Sequence, residues 1–569
     1  MDPQGKSKHG KWQVFGHSFF GKIKTAAVER GRRLSWEGRE LTDKLRVLLS
    51  VDRVFLLVVA LILSTILLPL LLNLLYRGGA NSGLKHQFSN KKLQSHPNRT
   101  LLLTNEEANC VAWRATGQCS PDGPLLSQSI QSFFTDTDLS CSDYVPSFGS
   151  SGYCELVSAK TGRTIRAFRK SCYHGTTDLP YPKSRHFAPA FRCEQAVDFL
   201  NYQHQIRQYK PKRDLPMTPS ERRPKRGILL QIYPSCLPSV FTIIKLLRHE
   251  HNCQLPIELW HMEGEIRDTD PLVRHIVGNF DHIEIRTIAA TDMGAESNSY
   301  MSKPYAIAYS NFDQILFLDS DNFPFQDPTF LFETPEFQAN SAMFWKDFWN
   351  TRRNDYIMTH DSLVWELLGI PTDDDNATPH IEMEMESGQM VIDRRKSVAA
   401  LHALLYLAKT FGDWLEPLVL VWGDKDLFRL AYYMTSTPFH YIKEPPGLAG
   451  RDVVLKWISH DKVCGITMVQ HSPKGDPLFF HRNIAKLSKE SDLFKVWQKG
   501  VKFVGSNPNT EYAVEGRASY YWLHGCYHPK PPVRPYFKEL DYRGSEVEQF
   551  EEKILRFAKE GIDIIKRKQ

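Results

Sequence analysis

Residues 315–327 read ILFLDSDNFPFQD. Four apolar residues in a row, followed at once by turn-forming Asp, Ser, Asn and Pro, predict a strand buried on both faces that ends abruptly. In extended chain, residues two apart point the same way, so Asp319 and Asp321 present their carboxylates together. A buried carboxylate without a partner is costly. The pair therefore reaches water at the strand end or shares a hard cation such as Mn²⁺ or Mg²⁺.

The flanking sequence sets this strand in a series. GILLQIY (227–233), PIELWH (256–261), HIEIRTI (282–288) and QILFLD (314–319) read as strands. LPSVFTIIKLLRHE and the segment beginning at Pro304 read as helices between some of them. The alternation predicts an open, largely parallel α/β sheet, in which ligands bind at the carboxyl ends of the strands. Asp319 and Asp321 stand at such an end. EVEQFEEKILRFAKEGIDIIKRK, near the C-terminus, has the spacing of an amphipathic helix.

Length and composition frame the series. A chain of 569 residues with 42% hydrophobic content has enough apolar material for several domains with sizeable cores. Residues 54–76, VFLLVVALILSTILLPLLLNLLY, carry no charge and are long enough to cross a bilayer as a helix. The span starts too far into the chain for a cleaved leader and reads as a permanent signal-anchor. Lys and Arg are balanced on its two sides, so orientation comes from other features. All ten cysteines lie at or beyond Cys110, and the sequons at Asn98 and Asn376 lie on the same side, which predicts an oxidising lumen for that part. The first 53 residues hold 12 Lys and Arg against 6 Asp and Glu; the remaining 59 basic and 59 acidic residues cancel, which argues against a nucleic-acid partner.

The expected organisation is a cytosolic tail (1–53), the anchor (54–76), a polar stem (77–109), a cysteine-rich region with linker (110–225), a catalytic domain (226–510) and a C-terminal extension with a helix (511–569). The six cysteines between Cys110 and Cys193 are expected to pair in a lumen, in a connectivity that spacing does not give.

A strand bearing Asp-x-Asp on a luminal, signal-anchored chain resembles the nucleotide-sugar-dependent glycosyltransferases. LLRHEHNCQLPIELWH, KPYAIAYSNFDQILFLDSDNFPFQDPTFLFETPEF, AMFWKDFWNT, ESGQMVIDRRK, WGDKDLFRLA and MVQHSPKGDPLFFHRN follow one another in this order. Together these blocks resemble the fungal Golgi α-mannosyltransferase family that builds mannan side chains. The resemblance implies a single-pass type II Golgi membrane protein with a GT-A fold, a Rossmann-like α/β domain. It implies transfer of mannose from GDP-mannose to an α-mannoside or other glycan acceptor, with retention of configuration and Mn²⁺ or Mg²⁺ as cofactor. Two other classes stay open: another metal-dependent luminal glycosyltransferase or phosphoryl enzyme, and a non-catalytic glycan-binding module.

Each block supplies candidates. Lys303, ahead of Pro304 as first helical residue, places an ammonium near a helix N-terminus where a phosphate is held. Trp345, Asp347 and Trp349 combine aromatic faces with a carboxylate, as sugar recognition requires. In HIEMEMES, Glu382, Glu384 and Glu386 alternate with apolar residues as in a half-exposed strand. Glu386 and Gln389 fall in a matched block. Asp424 and Asp426 flank Lys425 ahead of a helix; one reading is capping, and the resemblance makes Asp424 a contact of the transferred sugar or acceptor. Asp424, Asp347 and Glu386 are thus the candidate catalytic groups. For the third metal ligand, beside Asp319 and Asp321, His471 resembles the histidine of the His-then-Gly loop in glycogenin-like transferases, with Lys474 meeting the diphosphate. Gly475 follows His471 at a different spacing from that loop, so His481 stays an alternative.

Overall fold

The structure, a computed structural model, describes residues 107–116, 137–145, 151–170, 191–216, 225–293, 301–350, 363–370, 383–418, 420–421, 423–452, 463–517 and 526–567. The expected tail, anchor and most of the stem, with Asn98, and the second sequon at Asn376 lie outside these residues. Among the described residues no helix is long and apolar enough to cross a membrane.

Strands β1 (Ala108–Ala115), β2 (Gly152–Ser158) and β3 (Thr164–Lys170) form a small antiparallel sheet. Disulfides Cys110–Cys141 and Cys154–Cys193 tie it to its neighbours. Helix α1 (Ala196–Gln208) buries Phe199, Tyr202 and Ile206 in the same apolar cluster as the sheet's Trp113 and Phe168.

The main sheet begins with β4 (Arg226–Gln231), which leads into α2 (Leu237–Lys245). It continues with β5 (Ile257–Met262), α3 (Pro271–Asn279), β6 (Ile283–Ile288), α4 (Ser302–Tyr309) and β7 (Gln314–Leu318). Helix α3 starts where Asp270 accepts from the amides of Leu272 and Val273, the expected behaviour of Asp ahead of a first-turn proline. Strands β4 to β7 are mutually parallel. The short β8 (Asn322–Pro324) then leaves this sheet, and β9 (Ala342–Asn350) and β10 (Met383–Asp393) return to it antiparallel. With β11 (His440–Tyr441), which follows α5 (Val398–Lys409) and α6 (Lys425–Met434), the order is β11-β9-β10-β7-β4-β5-β6. The sheet is therefore mixed: β4 to β7 pair in parallel, as do β9 and β11, and β10 inserts between β7 and β9 in the opposite sense. Strand β7 lies near its centre, with Ile315 and Phe317 facing one core and Leu316 and Leu318 another, which explains its unbroken apolar run.

A second, antiparallel sheet takes up β8. It runs β8-β14-β13-β12-β15-β16, with β12 (Gly447–Asp452), β13 (Val463–His471), β14 (Pro477–His481), β15 (Lys499–Phe503) and β16 (Phe537–Asp541). A disulfide joins Cys464 on β13 to Cys526. Helix α7 (Glu546–Lys566) closes the described chain and buries Val547, Phe550, Ile554, Phe557 and Ile562, at spacings of three to five residues, against α2 and the second sheet. Each such side chain contributes about 1.5–3 kcal/mol by leaving water. Gly561 lets the two helices approach, since a Cβ there meets the Phe241 ring at 3.0 Å.

Candidate active site

The turn after β7 joins the two sheets, and that position determines what surrounds it. The Asp319 amide donates to the Gly388 carbonyl of β10 at 2.8 Å, and the Asn322 amide closes the turn on the Asp319 carbonyl at 3.1 Å. Asn322 then pairs with His481 in the β8–β14 ladder. This register sets His481 beside Asp321, Nε2 to Oδ1 at 3.1 Å. Asp319, Asp321 and His481 each offer a ligand atom, all within 4.8 Å of one another.

The same turn opens on a cavity of about 510 Å³, in the range of small-molecule sites. Its acidic end holds Asp319, Asp321, Glu386 and Asp424. Opposed to these are Lys303, His481 and Lys486. Lys303 stands in the first turn of α4, which begins at Ser302 rather than at Pro304. Its Nζ lies 3.1 Å from Asp319 Oδ1, 3.4 Å from Asp424 Oδ2 and 3.0 Å from Ser387 Oγ. Lys486 Nζ reaches Asp321 Oδ2 at 2.7 Å while staying half exposed. Asp424 is the residue ahead of α6, yet makes no side-chain cap hydrogen bond with that helix. Gln231, Tyr233, Trp260, His261 and Glu265, at or just past the ends of β4 and β5, also line the cavity.

Burial and mutual charge shift these groups. Burial opposes charge on His481, but Asp321, aided by Glu386 and Asp319, raises it to about 9. Burial likewise opposes charge on Asp321, and there His481 and Lys486 prevail, holding the carboxyl well below its usual range. Asp319 is raised, by burial first and by the charge of Asp321, against the pull of Lys303. Burial pushes Glu386 up to about 7, with Asp347 and Asp319 adding and His481 opposing. The site holds more acid than its own cations fully compensate.

Two carboxylates with an imidazole suit a divalent ion of the Mn²⁺ or Mg²⁺ type. The buried His481 Nδ1, without a hydrogen-bond partner and 3.6 Å from Glu386 Oε1, is consistent with such a donor set. Gly388 is part of the fit: a Cβ there meets His481 Nδ1 at 2.7 Å and Glu386 Oε1 at 3.0 Å. Only glycine leaves the histidine room.

Several sequence candidates stand elsewhere. His471, the expected third ligand, is outside the acidic group; β13 runs on through it and the turn Ser472–Asp476 follows, so the hairpin returns His481 to the aspartates instead. Burial, with Lys502 nearby, lowers His471 to about 3. Lys474 sits exposed on that hairpin turn and does not line the cavity; the lysine beside Asp321 is Lys486. Trp345 is fully buried and donates its indole N–H to the His471 carbonyl, a core role rather than sugar stacking. Trp349 packs against Tyr527, outside the cavity lining. Gln389 is buried against Asn322 and supports the turn from behind.

Glu384 corrects the half-exposed strand: β10 is buried along its whole length because β9 and β7 flank it and both faces are covered. Glu384 and Asp347 both receive Lys425 Nζ, at 2.6 and 2.5 Å, in a closed cluster rather than in the cavity. The groups that sequence reasoning missed are Lys486, Glu265, Tyr233 and Trp260. HRNIAK (481–486) carries no pattern that announces a lysine at the site; the only signal was its nearness to His481.

In comparison with known proteins, residues 225–472 match the model of a family described as mannosyltransferase, putative. The alpha-1,2-mannosyltransferase MNN2 of Saccharomyces cerevisiae is 24% identical over 272 residues, which is 41% of this chain and 42% of the relative. The putative alpha-1,3-mannosyltransferase MNN14 of Candida albicans is 21% identical over 252 residues, 39% of this chain and 35% of the relative. The chain thus spans about two fifths of the length of the curated relatives it matches. Among solved structures, the mannosyltransferase Ktr4p from S. cerevisiae aligns with 42% of this chain and 75% of its own at 14% identity, with a TM-score of 0.26, too low to establish a shared fold. The matched segment contains β7, the acidic turn, Lys303, Glu386 and Asp424, so the residues that line the cavity from these elements fall within the part of the chain that is similar to the putative mannosyltransferases.

Proposed function

We propose that this protein is a retaining α-mannosyltransferase with a GT-A type catalytic domain, which transfers mannose from GDP-mannose to an α-mannoside or other glycan acceptor. The observation that carries the reading is the convergence of Asp319, Asp321 and His481 on a cavity with two lysines, at the carboxyl end of a parallel strand in a mannosyltransferase-family segment. Asp319, Asp321 and His481 hold Mn²⁺ or Mg²⁺, which when bound neutralises charge on the departing diphosphate. Lys303 and Lys486 stand on either side of the acidic pair, and each ammonium is placed to meet phosphate oxygens. Tyr233 and Trp260, which line the same cavity, offer aromatic surface to a nucleoside. Asp424 and Glu386 face the same space and accept from sugar hydroxyls, with Glu386 poised near neutrality to hold or release a proton.

Residence in the Golgi membrane, as a single-pass type II protein anchored by residues 54–76, completes the proposal and rests on the sequence reading. The test is consumption of radiolabelled GDP-mannose by the purified chain with Mn²⁺ and an α-mannoside acceptor. Transfer that is lost in chelator and restored by Mn²⁺ is the expected result; equal transfer in chelator overturns the metal assignment. Endoglycosidase sensitivity at Asn98 tests the topology.

A further inference from the structure

The histidine arm of the site, His481 to Lys486, lies beyond the family match and is held by the C-terminal helix. Arg482 follows His481 and is fully buried. Its amide donates to the Asp321 carbonyl at 2.9 Å. Its guanidinium donates through Nε to the Ala485 carbonyl at 2.6 Å and through Nη2 to the Phe494 carbonyl at 3.0 Å. The remaining arm, Nη1, meets Glu551 Oε1 of α7 at 2.8 Å. Glu551 is also fully buried and accepts from the amides of Val496 and Trp497 at 2.6 and 2.8 Å. One carboxylate of α7 therefore fixes both the turn that carries Lys486 and the segment that returns beneath it. A guanidinium with three acceptors and a carboxylate with three donors leave little freedom for alternative arrangements.

We infer that Glu551 is a positioning residue for the metal site: through Arg482 it sets His481 and Lys486 against Asp321, and α7 is part of the working centre. The inference rests on the metal reading of Asp319, Asp321 and His481, and it extends that site to residues outside the matched segment. A role in stability alone makes a different prediction. Helix α7 is also anchored far from this arm, where Lys245 Nζ meets Glu560 Oε2 at 2.6 Å, so loosening the helix and releasing Arg482 are separable.

The experiment is a titration of the full chain with Mn²⁺, free ion being read by electron paramagnetic resonance well below the melting temperature. Binding by the unmodified protein tests the metal reading by itself. Glu551→Gln is expected to weaken Mn²⁺ about tenfold, a loss typical of groups that orient metal ligands. Glu560→Gln is expected to stay within about twofold of the unmodified protein, as for a distant independent site. Where Glu551→Gln is not recovered folded, Arg482→Met with Glu551→Leu leaves no buried charge unpaired. That double variant is expected to fold and still bind Mn²⁺ about tenfold more weakly. Unchanged affinity in folded Glu551→Gln or in the double variant, or an equal loss in Glu560→Gln, overturns the inference.

Discussion

Two groups of carboxylates and lysines lie near each other around β10, and they differ in how fully they satisfy themselves. In the closed cluster, Lys425 bonds both Asp347 and Glu384, while Asp426 forms an ion pair with Arg429, Oδ1 to Nε at 2.8 Å, and accepts from the Met385 amide. None of these side chains lines the cavity. In the open group, Asp319, Asp321, Glu386 and Asp424 share Lys303, His481 and Lys486 around a cavity. The first network holds strands and helix α6 together; the second keeps unused capacity for a ligand. Charged residues of the same kinds thus become structure or site according to whether their partners are built in.

The largest expected effect lies in the closed cluster. Lys425→Met leaves two buried carboxylates facing each other, and breaking a buried pair of this kind costs about 3–5 kcal/mol. Denaturant unfolding of the purified variant measures it. A loss below about 1 kcal/mol, the scale of an exposed pair, would erase the distinction between the two groups. Asp321→Asn should act mainly on the ligand, weakening Mn²⁺ binding by about 100-fold, while costing less stability than Lys425→Met, since removing one carboxylate also relieves repulsion within the acidic group. Calorimetric titration with Mn²⁺ reads the first effect and thermal melting the second.

A subtler change tests the fit around the histidine. Gly388→Ala introduces a Cβ that meets His481 Nδ1 at 2.7 Å, so Mn²⁺ affinity should fall about tenfold with both aspartates still present. Affinity equal to that of the unmodified protein would show that His481 has room to move and still bind. The smallest effect belongs to Lys486→Met. Its ion pair with Asp321 is half exposed, so the unfolding free energy should change by about 1 kcal/mol or less, while the donor KM rises. Stability lost without any change in KM would move Lys486 into the structural class.

Much of this contrast was legible in the sequence, and the residues show where legibility stops. The alternation that predicts strands at 227–233, 256–261, 282–288 and 314–319 corresponds to β4, β5, β6 and β7, shifted by a residue or two at most ends. The period of two in HIEMEMES instead suggested exposure, and Glu384 is buried. Periodicity reports which way side chains point; it does not report what covers each face. Lys425, distant in sequence, supplies the cover.

The sequence by itself determined that β7 is a central buried strand and that Asp319 and Asp321 leave it together, because both follow from local apolar patterning and strand geometry. It also determined the amphipathic stripe of α7, from Val547 to Ile562. Only the tertiary structure decided that His481 rather than His471 joins the aspartates, that Lys486 rather than Lys474 stands beside them, and that Glu551 reaches Arg482. Each of these rests on the crossing of β8 from one sheet to the other and on the register Asn322 to His481. That register is fixed by pairing between segments about 160 residues apart, where neither spacing nor propensity carries information.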